Sequence, residues 1–280
     1  MRPVPATTDH SFSDSLIESA LSGAFRGAEG PEPDQATAAV AFLTVQAARH
    51  TGRGTGYVNT VLSVRVGSAV GSCAVEPGAL DEDAVRDIVG RSVAELLEHP
   101  LQPVRVAALD AYLAATAPHA THPLARPVRV PAGDSLAKSM ARARAVAAIT
   151  QVPEGGRVAV IGVVNSLLAA LRERGLSYVP CDLKGGRTEW DEPILEDHAA
   201  AIEDADAVLA SGMVLGNGTF DEIAAACAAR ELPLTMFAQT GAAVLRELLG
   251  GPVRALSAEP YPFFWLFGEE TTIHTYEPPR

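Results

Sequence analysis

The chain has 280 residues and a formal net charge of -12. This length allows two cores of ordinary domain size. The acidic balance argues against nucleic acid as the main partner, because binding a phosphate backbone requires a locally dominant basic face. No window approaches the ~20 apolar residues of a membrane span, and the first residues contain no apolar stretch of the kind found in signal peptides. We therefore expect a cytoplasmic protein without a membrane partner.

The basic residues are almost all arginine, since only Lys138 and Lys184 are lysines. Neither lysine has the surroundings expected of the desolvated amine that Schiff-base chemistry requires. Scattered arginines such as Arg142 and Arg144 are predicted to lie on solvated helix faces.

The three cysteines, Cys73, Cys181 and Cys227, are odd in number and far apart in the sequence. This usage fits a reducing compartment and favours neither a disulfide framework nor a structural zinc site. Cys227 lies in an alanine-rich run, where a small buried apolar side chain is the favoured interpretation.

The first half of the chain predicts an α+β unit built from helices and one hairpin. A loop from His50 to Gly56 is rich in glycine, but it precedes a strand and does not open a helix, so a plain connector is favoured over a phosphate loop. The pattern predicts helices over 13–25, 35–49, 82–99 and 104–116, and strands over 57–66 and 69–75 joined by a turn at Gly67-Ser68.

A linker is predicted over 118–131, where prolines interrupt a stretch without periodicity. It separates an N-terminal domain, 1–127, from a C-terminal domain, 128–280. His119 and His122 within it are three residues apart; a solvated linker is favoured, and a metal site is the lesser alternative.

The second half alternates short apolar strands with amphipathic helices, which is typical of a doubly wound parallel sheet, a Rossmann-like α/β domain. A helix from Asp134-Ser135 precedes the first strand. The predicted strands are 157–162, 177–181, 207–211, 234–238 and 253–257, and the helices between them are 166–174, 193–203, 219–230 and 242–249.

The first strand-to-helix turn holds a single glycine, Gly162, where a dinucleotide fingerprint needs three. The sequence therefore argues against NAD(P) and FAD as cofactors. Asp182 lies 20 residues later, at the position of a ribose-binding acid, and a solvated strand-end residue is equally compatible with it.

A second glycine-rich turn, Gly212 to Thr219, follows the strand over 207–211 and predicts a ligand site at the carboxyl edge of the sheet. Thr219 and Glu222 have the spacing of a capping box. Asp221 and Glu222 already occupy the positive end of the helix dipole, so this turn favours a neutral, zwitterionic or cationic ligand group.

The tail carries four aromatic residues within five positions, Phe263, Phe264, Trp265 and Phe267. Burial in the core or in a homodimer contact is favoured. If the segment instead walls a cleft, Tyr261 and Trp265 would stack on a cationic group, and Glu259, Glu269 or Glu270 would supply charge complementarity.

The stretch Ser211–Glu222 and the strand ending at Gly162 resemble the Rossmann-like DUF364 family, described as "putative heavy-metal chelation". The segment Arg105–Ala111 is similar to part of the companion domain DUF4213, which has an enolase-N-terminal-like fold. The resemblance implies an interdomain cleft to which Asn217, Gly218 and Thr219 contribute. The sequence departs from the family at Asp110, usually Asn, and at Gln239-Thr240-Gly241, usually Gly-Pro-Ser, so the ligand here is expected to differ.

The sequence therefore predicts a site between the domains, with Asp110, Asn217 and Gln239 as catalytic candidates. The residues expected to contact the ligand are Asn59, Gly162, Asn165, Asp182, Gly212, Met213, Gly218, Thr219, Thr240, Tyr261 and Trp265.

Three functions remain open. We favour an enzyme of small-molecule metabolism, with lyase or transferase chemistry on S-adenosylmethionine or another amino-acid-like ligand. A heavy-metal or metal-chelate binding protein is the first alternative, although no cluster has metal-ligand spacing and a site from His50, Asp110, Asp182 and His198 would have to be assembled by the fold. A non-catalytic binding or scaffold protein is the second.

Overall fold

The computed structural model of the chain describes residues 30–51, 53–54, 56–261 and 267–277. The predicted helix over 13–25 and the aromatic residues Phe263, Phe264 and Trp265 lie outside the described residues. The strands are β1 (Ala38–Ala48), β2 (Tyr57–Val66), β3 (Ala69–Val75), β4 (Arg126–Val130), β5 (Arg157–Ile161), β6 (Ser177–Cys181), β7 (Ala207–Ser211), β8 (Leu234–Ala238), β9 (Ala255–Ala258) and β10 (Thr271–Tyr276). The α-helices are α1 (Glu82–Ile88), α2 (Val93–Leu97), α3 (Gln102–Thr116), α4 (Ser135–Ile149), α5 (Asn165–Glu173), α6 (His198–Glu203), α7 (Met213–Gly216), α8 (Phe220–Ala229) and α9 (Ala242–Glu247).

The strands form two sheets. The first is antiparallel with the order β1-β2-β3, and the second has the order β4-β10-β9-β8-β7-β5-β6. The five strands from β9 to β6 are parallel, and β10 is antiparallel to β9 and β4. Counted along the chain, the parallel strands have the order 2-1-3-4-5, so the direction of winding reverses between β5 and β7. Doubly wound sheets bind ligands at such a switch point.

Both faces of the large sheet are covered, which explains why its strands are continuous apolar runs. Val158 and Val160 of β5 pack in one cluster with α4 and α5. Ala159 and Ile161, which point the other way, belong to the cluster that includes α3 and α9. The predicted mixed α/β class with a mostly parallel sheet is confirmed. None of the helices among the described residues is long and apolar enough to cross a bilayer.

The predicted helix over 35–49 is wrong, because this segment is strand β1. It pairs with β2 in register from Ala41 opposite Val64 to Ala48 opposite Tyr57. The alanines suggested a helix, but helix propensity is a weak preference that tertiary pairing overrides. The edge of β2 supplies a ladder of backbone hydrogen bonds that the sequence pattern does not show.

The single helix predicted over 82–99 is divided into α1 and α2. Val89 leaves α1 in an extended conformation, and Gly90 follows with φ +88°. Ser92 then restarts the helix through a capping box with Glu95. The turn at Gly67-Ser68, in contrast, is confirmed, since Val66 pairs with Ala69 across it.

The predicted linker over 118–131 is also partly wrong, because Arg126–Val130 forms β4 at the edge of the large sheet. Pro127 is compatible with this place, since an edge strand need not donate every backbone N–H. Its partner β10 was not predicted. The strand β4 spans the predicted domain boundary at 127/128.

Other predicted elements of the second half differ from the structure mainly at their ends. The helix predicted over 193–203 begins only at His198, after the N-cap Asp197. The last parallel strand is Ala255–Ala258, two residues later than its predicted start.

Asp110 of α3 joins the two halves of the chain. Its Oδ2 accepts a hydrogen bond from the backbone N–H of Ser72 in β3 at 2.9 Å, and its Oδ1 accepts one from Ala243 in α9 at 2.7 Å. Burial raises the pKa of this carboxyl to about 6, while these N–H groups oppose the shift. The carboxylate therefore fastens the small sheet to the Rossmann-like half.

We predict that Asp110→Asn lowers the free energy of unfolding by about 2–4 kcal/mol at pH 8, because the amide places a donor against a backbone N–H and leaves buried groups unsatisfied. Chemical denaturation measures this change. Asp204→Asn is the matched control, since the Asp204 side chain is 81% exposed. Equal stability of the two variants would contradict the structural role of Asp110.

Candidate functional site

A cavity of about 770 Å³ lies between the small sheet and the carboxyl ends of the parallel strands. The switch point contributes Gly162, after β5, and Ser211, at the end of β7. Asn59 and Ala74 of the hairpin form part of the opposite wall. This volume suits a small metabolite, since ligand pockets measure about 300–1,000 Å³.

Most of the predicted site residues lie around this cavity. Those that line it are Asn59, Gly162, Asn165, Asp182, Met213, Asn217, Thr219, Gln239, Thr240 and Tyr261. Gly212 and Gly218 are in the same turn without lining it. Asp110 lines a separate cavity of about 320 Å³, together with His119 and His274. Trp265 lies outside the described residues.

The glycine-rich turn is more structured than the sequence predicts, since it contains the one-turn helix α7. Gly216 packs closely on the small sheet, where an added Cβ would lie 2.2 Å from the carbonyl oxygen of Ala74. Gln102 of α3 donates to the carbonyl oxygen of Leu215 at 2.6 Å. The turn is therefore fixed against the N-terminal half of the chain.

The predicted capping box at the start of α8 is wrong. Asn217 replaces it, because its Oδ1 accepts hydrogen bonds from the Thr219 hydroxyl at 2.8 Å and from the Thr219 backbone N–H at 3.1 Å. The Thr219 side chain makes no capping bond to the helix. Glu222 instead contacts His198 of α6 at 3.2 Å.

Asp221 has a different charge state from that assumed in the sequence argument. Burial raises its pKa to about 7, and its Oδ2 has no hydrogen-bond partner among the described residues. Near neutral pH more of this carboxyl is therefore protonated than in an exposed aspartate. Its repulsion of an anion is weaker than that of an ordinary aspartate.

We predict that Asp221→Asn stabilises the chain more at pH 8.5 than at pH 5.5. The carboxyl pKa is raised from 3.8 to about 7 in the folded state, so the wild type loses stability as pH increases towards about 7, whereas the amide does not ionise. Thermal unfolding should show a gain that is larger by about 2–4 °C at pH 8.5, as expected for ~1 kcal/mol in a chain of this size. A gain that is independent of pH would contradict this account.

Arg142 of α4 is the main site residue that the sequence analysis missed. It was predicted to be solvated, but only 5% of the residue is exposed. Its Nε donates to Glu259 Oε1 at 2.8 Å and Oε2 at 2.9 Å, and the guanidinium carbon lies 4.9 Å from the centre of the Phe237 ring. One signal was present: Arg142 lies four residues before the buried Val146, on the same face of α4.

Glu259 is itself held in place. Ser257 donates to its Oε1 at 2.9 Å, and the Gln239 amide donates to its Oε2 at 3.3 Å. From the sequence, Glu259 is expected to complement a cationic ligand group only if the aromatic tail walls the cleft. The structure instead places it as the partner of Arg142.

Lys138 is also more buried than predicted, because only 1% of the residue is exposed. Its Nζ donates to the carbonyl oxygen of Phe267 at 3.0 Å, to Thr271 Oγ1 at 2.8 Å and to the carbonyl oxygen of Glu269. Burial lowers the pKa of this amine. Its contacts tie α4 to the chain around β10, and it is not among the residues that line the large cavity.

The cavity carries charges of both signs. Lys184 lines it and donates from Nζ to the carbonyl oxygen of Val58 at 3.2 Å. Asp182 braces two loops, since its Oδ2 accepts from the Val163 N–H at 3.2 Å and its Oδ1 from the Lys184 N–H at 3.0 Å. His50 and Arg53 also line the cavity, so the loop predicted to be a plain connector contributes to its wall.

The histidine pair of the predicted linker has a structural place. His119 Nδ1 lies 2.6 Å from the Tyr276 hydroxyl, and its ring is stacked on His274. Burial lowers the pKa of His119 to about 3. Within the described ranges, no three His, Cys, Asp or Glu side chains are grouped to hold a metal ion. His50, Asp182 and His198 line the large cavity without forming such a group, and Asp110 lines the smaller cavity.

The cysteines are three free, buried thiols. Burial raises the pKa of Cys181 and Cys227 to about 11 and raises that of Cys73 as well. Thiols with such pKa values are poor nucleophiles at neutral pH. Cys181 lines the cavity as an uncharged side chain.

Comparison with known proteins gives a match to one family model over part of the chain and a shared fold. Residues 145–235 match the model of the DUF364 family, described as "Putative heavy-metal chelation". A DUF364 protein of unknown function from Desulfitobacterium hafniense DCB-2 is 12% identical, with a TM-score of 0.58 over 94% of this chain and 99% of that chain. Another from Pyrococcus horikoshii is 17% identical, with a TM-score of 0.55 over 94% of this chain and 98% of that chain.

A search of the curated proteins finds no match. The predicted resemblance to DUF364 is confirmed by the family model and by the two structures that share the fold. The DUF4213-like, enolase-N-terminal-like character of the first half stays a prediction.

Proposed function

We propose that this chain, a DUF364-type protein, binds a zwitterionic metabolite of nucleoside size in the large cavity and acts on it as an enzyme of small-molecule metabolism. The observation that carries the proposal is the cavity itself. It has about 770 Å³ at the switch point of a doubly wound sheet, and acidic and basic side chains face it together. Such a combination of size, place and charge suits a polar ligand with charges of both signs.

S-adenosylmethionine is the candidate ligand that best matches these features. Asp182 follows β6, next to β5, where an acid would accept hydrogen bonds from ribose hydroxyls. Its two oxygens each accept one backbone N–H and have lone pairs left for a ligand. Tyr261 and Phe237 supply aromatic surface in the same cavity.

The catalytic candidates Asn217 and Gln239 have polar atoms left for a ligand. Asn217 uses its carbonyl oxygen for Thr219, which leaves its NH₂ group as a donor. Gln239 uses its NH₂ group for Glu259, which leaves its carbonyl oxygen as an acceptor. These groups fit the positioning of a reacting group, as in lyase or transferase chemistry, where orientation supplies much of the rate.

Binding of a metal chelate is the second candidate, and the description of the matched family favours it. The described residues offer no cluster for a bare ion. A metal already held by an organic chelator would instead be recognised through the carboxylates of that chelator, which the basic side chains of the cavity suit. A scaffold without a ligand is the remaining alternative.

We predict that S-adenosylmethionine raises the melting temperature by about 5–10 °C at a hundredfold excess over its Kd, because a ligand of the folded state alone stabilises it by ~2.7 kcal/mol. Differential scanning fluorimetry with S-adenosylmethionine, S-adenosylhomocysteine, adenosine and methionine measures the shift. Asp182→Ala should weaken binding, whereas Asp204→Ala, at an exposed site, should not.

A parallel series with Fe, Ni, Co, Cu and Zn salts separates the alternatives. If no compound of the nucleoside panel shifts the melting temperature and a metal ion does, the proposal is contradicted in favour of metal handling. If neither series shifts the melting temperature, a scaffold protein is favoured.

A further inference from the structure

We infer that Arg142 is the carboxylate-binding residue of the large cavity. Its two terminal guanidinium nitrogens receive a carboxylate of the ligand through a pair of parallel hydrogen bonds. This inference rests on the proposed function and deepens it, because it assigns the ligand a carboxylate and gives the carboxylate a place on α4.

The first observation is the way in which Arg142 is bonded. Only its Nε is used by Glu259, and it donates to both carboxylate oxygens. The terminal nitrogens Nη1 and Nη2 have no hydrogen-bond partner among the described residues, and neither is sealed off from accessible space. Because Arg142 lines the large cavity and its side chain is only 6% exposed, these two donors face the cavity.

The second observation is that the guanidinium plane is fixed before any ligand arrives. Glu259 holds one edge of the plane, and the Phe237 ring lies 4.9 Å from the guanidinium carbon. Glu259 is in turn oriented by Ser257. A fixed fork loses little conformational entropy when it binds a planar group, which is why arginine is the usual residue for bidentate recognition of carboxylates.

The surroundings of Arg142 supply further donors. Ser139 lies one helical turn earlier on α4, and its hydroxyl is 2.9 Å from that of Ser166 at the start of α5. Both serines line the cavity. The Arg142 charge also reaches the hairpin wall, where it lowers the pKa of Tyr57 against the larger upward effect of burial.

A purely structural ion pair is the competing explanation, and the geometry disfavours it. A buried pair gains little net stability, because both charges lose their hydration. A pair selected for stability would form two parallel N–H···O bonds, which requires at least one nitrogen of the terminal end of the guanidinium. Here that end is directed to the cavity.

The charges favour a carboxylate over a phosphate. Glu259 already neutralises Arg142, so a bound carboxylate adds one negative charge, which Lys184 in the same cavity can offset. A dianionic phosphate would bring one more negative charge, and the other arginines of the cavity, Arg53 and Arg187, are already paired with Glu189 and Asp191. Asp182 and Glu196 line the same cavity and suit the cationic part of an amino-acid-like ligand.

The test compares S-adenosylmethionine with its decarboxylated form by isothermal titration calorimetry. Wild type is expected to bind the carboxylate-bearing ligand about 10–100-fold more tightly, the range for a charge-assisted bidentate contact. Arg142→Lys retains the charge and loses the fork, so this preference should fall about tenfold or more. Arg144→Lys is the matched control, because that arginine lies on the same helix with a 59% exposed side chain.

The outcomes test the proposed function and the carboxylate assignment separately. If neither ligand binds the wild type, the proposed function fails. If both bind the wild type with equal affinity, or if Arg142→Lys retains the full preference, the cavity binds nucleosides and the carboxylate assignment is overturned. Tighter binding of adenosine monophosphate than of S-adenosylmethionine would also overturn it, in favour of a phosphate. The wild-type comparison remains decisive even if the Arg142 variant fails to fold.

Discussion

The ion pair between Arg142 and Glu259 is the constraint on which the proposed site depends. It lies between the two cavities, since Arg142 lines the larger and Glu259 the smaller, while Gln239 and Tyr261 line both. A charge buried in this place has to be compensated, or it would cost several kcal/mol. The pair therefore requires α4 to pack against the carboxyl ends of β8 and β9, and the same packing sets one wall of the ligand cavity.

The opposite wall depends on contacts between distant parts of the chain. Asp110 fastens the small sheet to α9, and Gly216 lets the glycine-rich turn approach the backbone of β3. These two contacts hold the hairpin over the switch point of the large sheet. An apolar core runs continuously from the small sheet to the large sheet beside these contacts, and the cavity is the space that this core leaves open at the switch point.

The sequence predicts the parallel sheet well, because strands buried on both faces are continuous apolar runs such as Ala207–Ser211, with all five residues buried. Most of the predicted cavity residues follow from that sheet, since turns at the carboxyl ends of parallel strands converge. The sequence predicts β1 poorly, because its alanines suit a helix until β2 pairs with it. It also misplaces Arg142 and Lys138, since burial of a charge depends on partners more than 100 residues away.

The most direct test of carboxylate binding by Arg142 is a crystal structure of the wild type with S-adenosylmethionine, grown without other carboxylates in the solution. We predict density for the ligand in the large cavity, with its carboxylate oxygens about 3 Å from Nη1 and Nη2 of Arg142 and with Glu259 still bonded to Nε. Density for the ligand with its carboxylate on another residue, or an Arg142 fork turned onto protein groups, would contradict the account.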